Sequence, residues 1–327
     1  MATLTSLPPE LLLDIFSYNA ADLSAGHIAI TVGCVCKSFH HVVQSIDLFY
    51  VPLRSIGGMQ NFLGVLRRRA DARKRVRSLL IAACSDSSKE DMTSGIDPTA
   101  LVEEIISNIN PSCLHTLFIY FPSSNHNVPT LHFPTSLPAL TTLHLSGLIA
   151  TVPSSIRDPF PHLKNVRLLR ISELSEDHRN IPQILHALAP DLTQLQLSLQ
   201  GATSAFTSRL VTQVGDFLNA NLNSRPLSLL NHAFPDSLKQ IVLDSNLPFR
   251  GEGFSPALPL LFATLRLMAA HQKIVQDQES VVLVPFPQVE GEDREKEELV
   301  EEWTRVNVGE DVERPDRSHR TDPALPV

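Results

Sequence analysis

The sequence predicts an α/β fold in two parts. A short helical module at the amino end leads into a repeat solenoid, whose strands form a curved parallel sheet with helices on the outer side. Three observations predict it. The pattern Leu-x-x-Leu-x-Leu, with Val or Ile at some positions, recurs six times: at 76–81, 114–119, 140–145, 163–168, 192–197 and 238–243. The central residues of these copies, Leu79, Leu117, Leu143, Val166, Leu195 and Ile241, are 38, 26, 23, 29 and 46 positions apart. The middle three spacings match leucine-rich repeats of about 20–29 residues, and the outer two carry insertions. Helical patterns fill the gaps, and strand followed by crossover helix, repeated, implies a parallel sheet.

The first element is a capped helix. Ser6-Leu7-Pro8-Pro9-Glu10 places a hydroxyl at the N-cap and proline in the first turn, where a missing N–H costs nothing. Leu7, Leu11, Ile15 and Tyr18 share one face, flanked by Leu12 and Phe16. A loop spans 19–26, and Lys37–Ile46 continues helically with Phe39, Val42, Val43 and Ile46 in step. Some forty residues cannot bury this much apolar surface internally. The excess either packs on the rest of the chain or awaits a partner.

The second element is a helix from Met59 running into Arg67–Arg77, where seven of eleven residues are basic. That run reads as a nuclear-import patch, or as a solvated helix end suited to cations. Asp97 caps a helix beginning at Pro98, and further helices are expected over Ile181–Ala189, Ala205–Leu222 and from Ser255 toward Gln278. Val281–Val284 is expected to add a seventh, degenerate strand.

The segment Leu7-Pro8-Pro9-Glu10-Leu11-Leu12-Leu13-Asp14-Ile15-Phe16, followed by Val35-Cys36-Lys37-Ser38-Phe39, resembles the F-box. The resemblance implies a three-helix F-box module over roughly 6–48 that docks on the Skp adaptor of SCF-type cullin–RING ubiquitin ligases. By position it implies that Leu7, Pro8, Leu11, Leu12, Ile15, Phe16, Val35, Cys36 and Phe39 face the adaptor. The wider layout, with an irregular leucine-rich-repeat solenoid downstream, is similar to fungal F-box domain-containing proteins. The expected organisation is an F-box-like module over 1–50, a connecting basic helix over 51–75, the solenoid over 76–288 and an acidic tail over 289–327.

Side chains alternate along a strand. If the leucines face the core, a central row on the opposite, concave face comprises Leu80, Phe118, His144, Arg167, Gln196 and Val242. Flanking rows hold Thr116, Tyr120, Thr142, Ser146, Asn165, Gln194, Ser198, Gln240 and Asp244. Aromatic, amide and charged groups together suit a protein substrate. The plainer reading leaves them exposed to solvent, or covered by the insertions and the tail.

The tail holds almost all of the charge. Of the formal −8 of the chain, −7 lies from Val289 onward. There Leu299, Trp303 and Val306 lie at helical spacing, and Trp303 is the only Trp. This segment reads as a docked cap on the last repeat or as a solvated acidic helix, with disorder expected from Gly309.

The chemistry-bearing motifs are missing. There is no phosphate loop, no His-Glu-x-x-His and no Gly-x-Ser-x-Gly. Cys34, Cys36, Cys84 and Cys113 lack zinc or redox spacing. No metal, cofactor or catalytic residue is expected, and the acidic balance argues against a nucleic-acid partner. The first residues lack a basic stretch of the secretory kind and no run suits a bilayer. An intracellular chain, cytoplasmic or nuclear, is therefore expected. The favoured function is a non-catalytic substrate receptor of an SCF-type ligase, with the Skp adaptor on the F-box and an unknown target protein on the repeats. The alternative is a non-catalytic leucine-rich-repeat scaffold whose F-box assembles no ligase.

Overall fold

A computed structural model describes Leu11 and residues 48–83, 97–122, 129–151, 159–169, 181–198, 204–222, 234–245, 257–277, 280–285 and 292–308. Leu11 is helical. The described strands are β1 (Leu48–Leu53), β2 (Val76–Ala82), β3 (Thr116–Tyr120), β4 (Thr130–His132), β5 (Thr142–Ser146), β6 (Ile149–Thr151), β7 (Asn165–Leu169), β8 (Gln194–Ser198), β9 (Gln240–Ser245) and β10 (Val281–Pro285). The helices are α1 (Ile56–Arg68), α2 (Pro98–Asn108), α3 (Ile181–Leu188), α4 (Ser204–Leu222), α5 (Ala257–Gln276) and α6 (Glu292–Val308).

Eight strands form one sheet in the order β1-β2-β3-β5-β7-β8-β9-β10. Every neighbouring pair is parallel. The order follows the chain, and the described helices α1 to α5 between these strands all pack into one core on one face of the sheet. β4 and β6 pair separately, also parallel, in a small second sheet.

The repeated motif shows why each strand starts where it does. Its first leucine closes a tight turn: Leu140 N–H donates to the Leu137 carbonyl at 3.1 Å, Leu163 to Phe160 at 3.2 Å, Leu192 to Ala189 at 3.1 Å and Leu238 to Pro235 at 3.0 Å. All four leucines are buried. The next residues extend the ladder, with Asn165 N–H on the Thr141 carbonyl and Gln194 N–H on that of Lys164. The second and third apolar positions then point into one core. Leu79, Leu117, Leu143, Val166, Leu195 and Ile241 stand in register across the sheet, as do Ile81, Ile119, Leu145, Leu168, Leu197 and Leu243. Helix residues close that core, among them Met59, Leu66, Val102, Ile105, Leu185, Val214, Phe217 and Phe262.

Local signals set the helix starts. Ser55 accepts from Gly58 N–H at 3.2 Å and Asp97 from Thr99 N–H at 2.9 Å, with Pro98 opening α2. Buried Gln272 of α5 donates to Ser280 Oγ at 2.8 Å and accepts from Ser280 N–H at 3.3 Å, tying the last helix of this face to β10.

The structure departs from the sequence reading in several places here, the unforeseen strands β4 and β6 among them. The border expected at residue 50 falls inside β1, a strand not foreseen because Leu48–Leu53 lacks the repeat pattern. The helix expected from Met59 through the basic run ends at Arg68, and a 3-10 turn at Asp71–Arg73 follows. Arg67 pairs with Glu104 of α2, and Lys74 lies 2.8 Å from Asp71. Among the described residues, no helix is long and apolar enough to cross a membrane.

Candidate protein-binding site

The face of the sheet opposite the main core carries the row read from alternation. Leu80, Phe118, His144, Arg167, Gln196 and Val242 stand side by side in register on β2, β3, β5, β7, β8 and β9. Their exposure differs along the row. Leu80, Phe118, His144 and Val242 are buried, whereas Arg167 and Gln196 are partly exposed.

Helix α6 covers the apolar end. Leu299 and Trp303, one helical turn apart, pack with Leu80, Ala82, Phe118 and Tyr120 in a second apolar cluster, flanked by Tyr50, Val300 and Val306. Trp303 is 1% exposed. The sequence reading placed this helix as a cap on the last repeat or as a solvated segment, although its plainer reading of the row had the insertions and the tail cover that face. It lies instead against strands at the other end of the sheet, where the row is apolar and an open face would expose Leu80, Phe118 and Tyr120 together. Consecutive helix residues point about 100° apart. While Trp303 seats on β2 and β3, Glu302 therefore reaches sideways and pairs with the Arg167 guanidinium on β7.

His144 sits between these two contacts. Its ring is 1% exposed, tilted against Phe118 with centroids 4.6 Å apart, and its Nδ1 lies 3.9 Å from Glu302 Oε2. Burial first, and then the charge of Arg167, push its pKa well below the ordinary value. The ring is thus neutral at neutral pH, and its approach to Glu302 is not an ion pair. Among the described residues, neither ring nitrogen of His144 has a hydrogen-bond partner, nor does Trp303 Nε1. These buried polar atoms lie at the joint between α6 and the sheet.

Beyond α6 the face turns polar. Gln194 Nε2 donates to Gln240 Oε1 at 3.1 Å across β8 and β9, and Asn165 and Gln194 are exposed. Of the flanking residues, Thr116, Tyr120, Ser146 and Ser198 are buried, and Thr142 and Gln240 are intermediate. The side chain of Asp244 lies outside the described residues. Sequence reasoning did not name Glu302 as a site residue. The signal was its place beside the only Trp of the chain.

Of the nine residues expected to face an adaptor, Leu11 is described and is 49% exposed. Leu7, Pro8, Leu12, Ile15, Phe16, Val35, Cys36 and Phe39 lie outside the described residues. Cys113 is a free thiol, and no group of three or more His, Cys, Asp or Glu among the described residues could hold a metal ion.

Comparison with known families gives one match, to the F-box-like family over residues 4–54. The chain carries an F-box-like domain. The matched span includes β1 near its end, so part of the F-box-like segment is also a strand of the parallel sheet. F-box domains generally bind Skp-type adaptors and belong to non-catalytic ubiquitin-ligase adaptors, so the match supports an F-box protein with an adaptor role of that general kind. No curated protein and no solved structure matches the chain.

Proposed function

We propose that this chain is the substrate-receptor subunit of an SCF-type cullin–RING ubiquitin ligase. The F-box-like match at 4–54 carries the proposal, and the half-exposed leucine Leu11 on the helix assigned to the adaptor supports it. Adaptor docking is assigned to Leu7, Pro8, Leu11, Leu12, Ile15, Phe16, Val35, Cys36 and Phe39. An interface of this kind draws its energy from a few apolar anchors set in a groove. The eight-stranded sheet is read as an irregular leucine-rich-repeat solenoid of the kind found in fungal F-box proteins. Its central row, Leu80, Phe118, His144, Arg167, Gln196 and Val242, is assigned to target recognition. Such a receptor does no bond-making chemistry. It raises the effective concentration of a target lysine near the ubiquitin-charged enzyme.

Co-purification of the full chain with a Skp-type adaptor tests the assignment. Wild type should retain the adaptor, and the Leu11→Asp/Ile15→Asp variant should lose it. Equal recovery by both would remove this face from the assembly. No recovery by wild type would favour a leucine-rich-repeat scaffold that joins no ligase.

A further inference from the structure

We propose that the sheet face over β2, β3, β5 and β7 is a binding site for an acidic amphipathic helix with one bulky aromatic anchor, supplied by a partner protein, and that α6 is its built-in occupant. Three observations carry this. The site already holds a helix of that chemistry, with Trp303 among Leu80, Phe118 and Tyr120 and Glu302 on Arg167. The hold is narrow: along α6 the buried described side chains are Leu299 and Trp303, while Arg294, Glu297, Glu298, Glu301 and Arg305 are exposed. The joint is also incompletely satisfied, because His144 Nδ1 and Nε2 and Trp303 Nε1 are buried without hydrogen-bond partners among the described residues. A partner helix that seats an aromatic in the same pocket, and offers a donor or acceptor to those atoms, would outcompete the resident.

An internal occupant lowers the apparent affinity of any competitor by the fraction of chains that are open. Opening the site is therefore predicted to strengthen binding. The inference concerns α6 and the sheet alone, and its experiment contains no adaptor, so it stands or falls separately from ligase assembly.

The probe is a fluorescently labelled peptide spanning residues 290–309, titrated by anisotropy into the full chain. The Glu302→Ala/Trp303→Ala chain should bind it at least about tenfold more tightly than wild type does. Adding Arg167→Glu to that chain should weaken binding by about tenfold, and a peptide carrying Trp303→Ala should not bind. Equal affinity for the wild-type and doubly substituted chains, failure of the latter to bind, or undiminished binding of the Trp303→Ala peptide would overturn the proposal. Circular dichroism verifies folding. If the double variant does not fold, Leu299→Ala opens the site with a smaller truncation and the same outcomes decide. Sedimentation of the wild-type chain, whose α6 keeps Glu302 and Trp303, should show a monomer, and a dimer formed by exchange of α6 would overturn the assignment to a partner protein.

Discussion

Lowering the pH should loosen α6 from the sheet, and His144 sets the amount. With α6 docked, the ring is buried and neutral, its pKa pushed well below the ordinary 6.5 by burial and then by Arg167. Glu302, 3.9 Å away, acts in the opposite sense and is outweighed. When α6 lifts, water reaches the ring and its pKa returns toward 6.5. Below that value the open state binds a proton that the docked state refuses. The contribution to docking is thus fully present above pH 6.5 and is lost as the pH falls through it. At pH 5.5 the loss reaches at most about 1.4 kcal/mol, roughly a tenfold change in the open-to-docked ratio, and at pH 7.5 it is close to zero. Trp303 is the sole Trp and is buried against the sheet, so its emission reports docking directly. The measurement is the free energy of urea-driven exposure of Trp303 at pH 7.5 and 5.5, in wild type and in His144→Phe. Phenylalanine keeps an aromatic ring against Phe118 and cannot titrate. Wild type should lose more than the variant between the two pH values, by at most about 1.4 kcal/mol, the remaining histidines contributing alike to both. An equal loss in the two proteins would refute the role given to His144.

Two further outcomes follow from contacts elsewhere. A double-mutant cycle on Arg167→Gln and Glu302→Gln, read by the same Trp303 emission, should give a coupling of about 1–3 kcal/mol, because the pair is charged and only about a quarter exposed on each side; a coupling near zero would mean that the contact does not hold α6. Asp97→Ala removes the acceptor for Thr99 N–H at the start of α2 and should cost about 1 kcal/mol in global unfolding, measured by urea denaturation, with Asp97→Asn restoring most of it.

The sheet was legible because its signal is local and repeated. A period of two within each Leu-x-x-Leu-x-Leu copy assigns every side chain to a face, so the row from Leu80 to Val242 could be written down before any pairing was known. The pairings then set those six residues in lateral register. The long outer spacings are also accounted for: α2 occupies part of the 38-residue interval and α4 part of the 46-residue one. β1 escaped because Leu48-Phe49-Tyr50-Val51-Pro52-Leu53 is a plain apolar run, and such a run fits a helix or a strand equally. Its usable signal was position, six apolar residues just ahead of the Ser55-capped helix, as a β-α-β unit requires. That the tail could cover this face was among the readings, but which strands α6 seats on was not legible, for a different reason. Leu299 and Trp303 reveal that the helix has an apolar face, but docking is a contact between residues more than 130 positions apart, from Arg167 to Glu302, and no periodicity encodes it.

The chemistry along the row explains why only part of it carries a lid. A parallel sheet tolerates a bare face only where its side chains are content in water. At the starts of β8 and β9 they are: Gln194 and Gln240 bond to each other, and Gln194 is exposed, while Ser198 and Val242 further along are buried. At β2 and β3 they are not, since Leu80, Phe118 and Tyr120 would together form a greasy patch of the kind that drives association. The face therefore offers two kinds of surface on one scaffold. The amide end of β8 and β9, at Gln194 and Gln240, can meet a target without rearrangement, whereas the apolar strands can do so only by exchanging one helix for another. A target that engaged both would release α6 on binding and so expose Trp303. One that used only the amide-rich strands would leave its emission unchanged, and that difference assigns a target to one part of the row before any complex is solved.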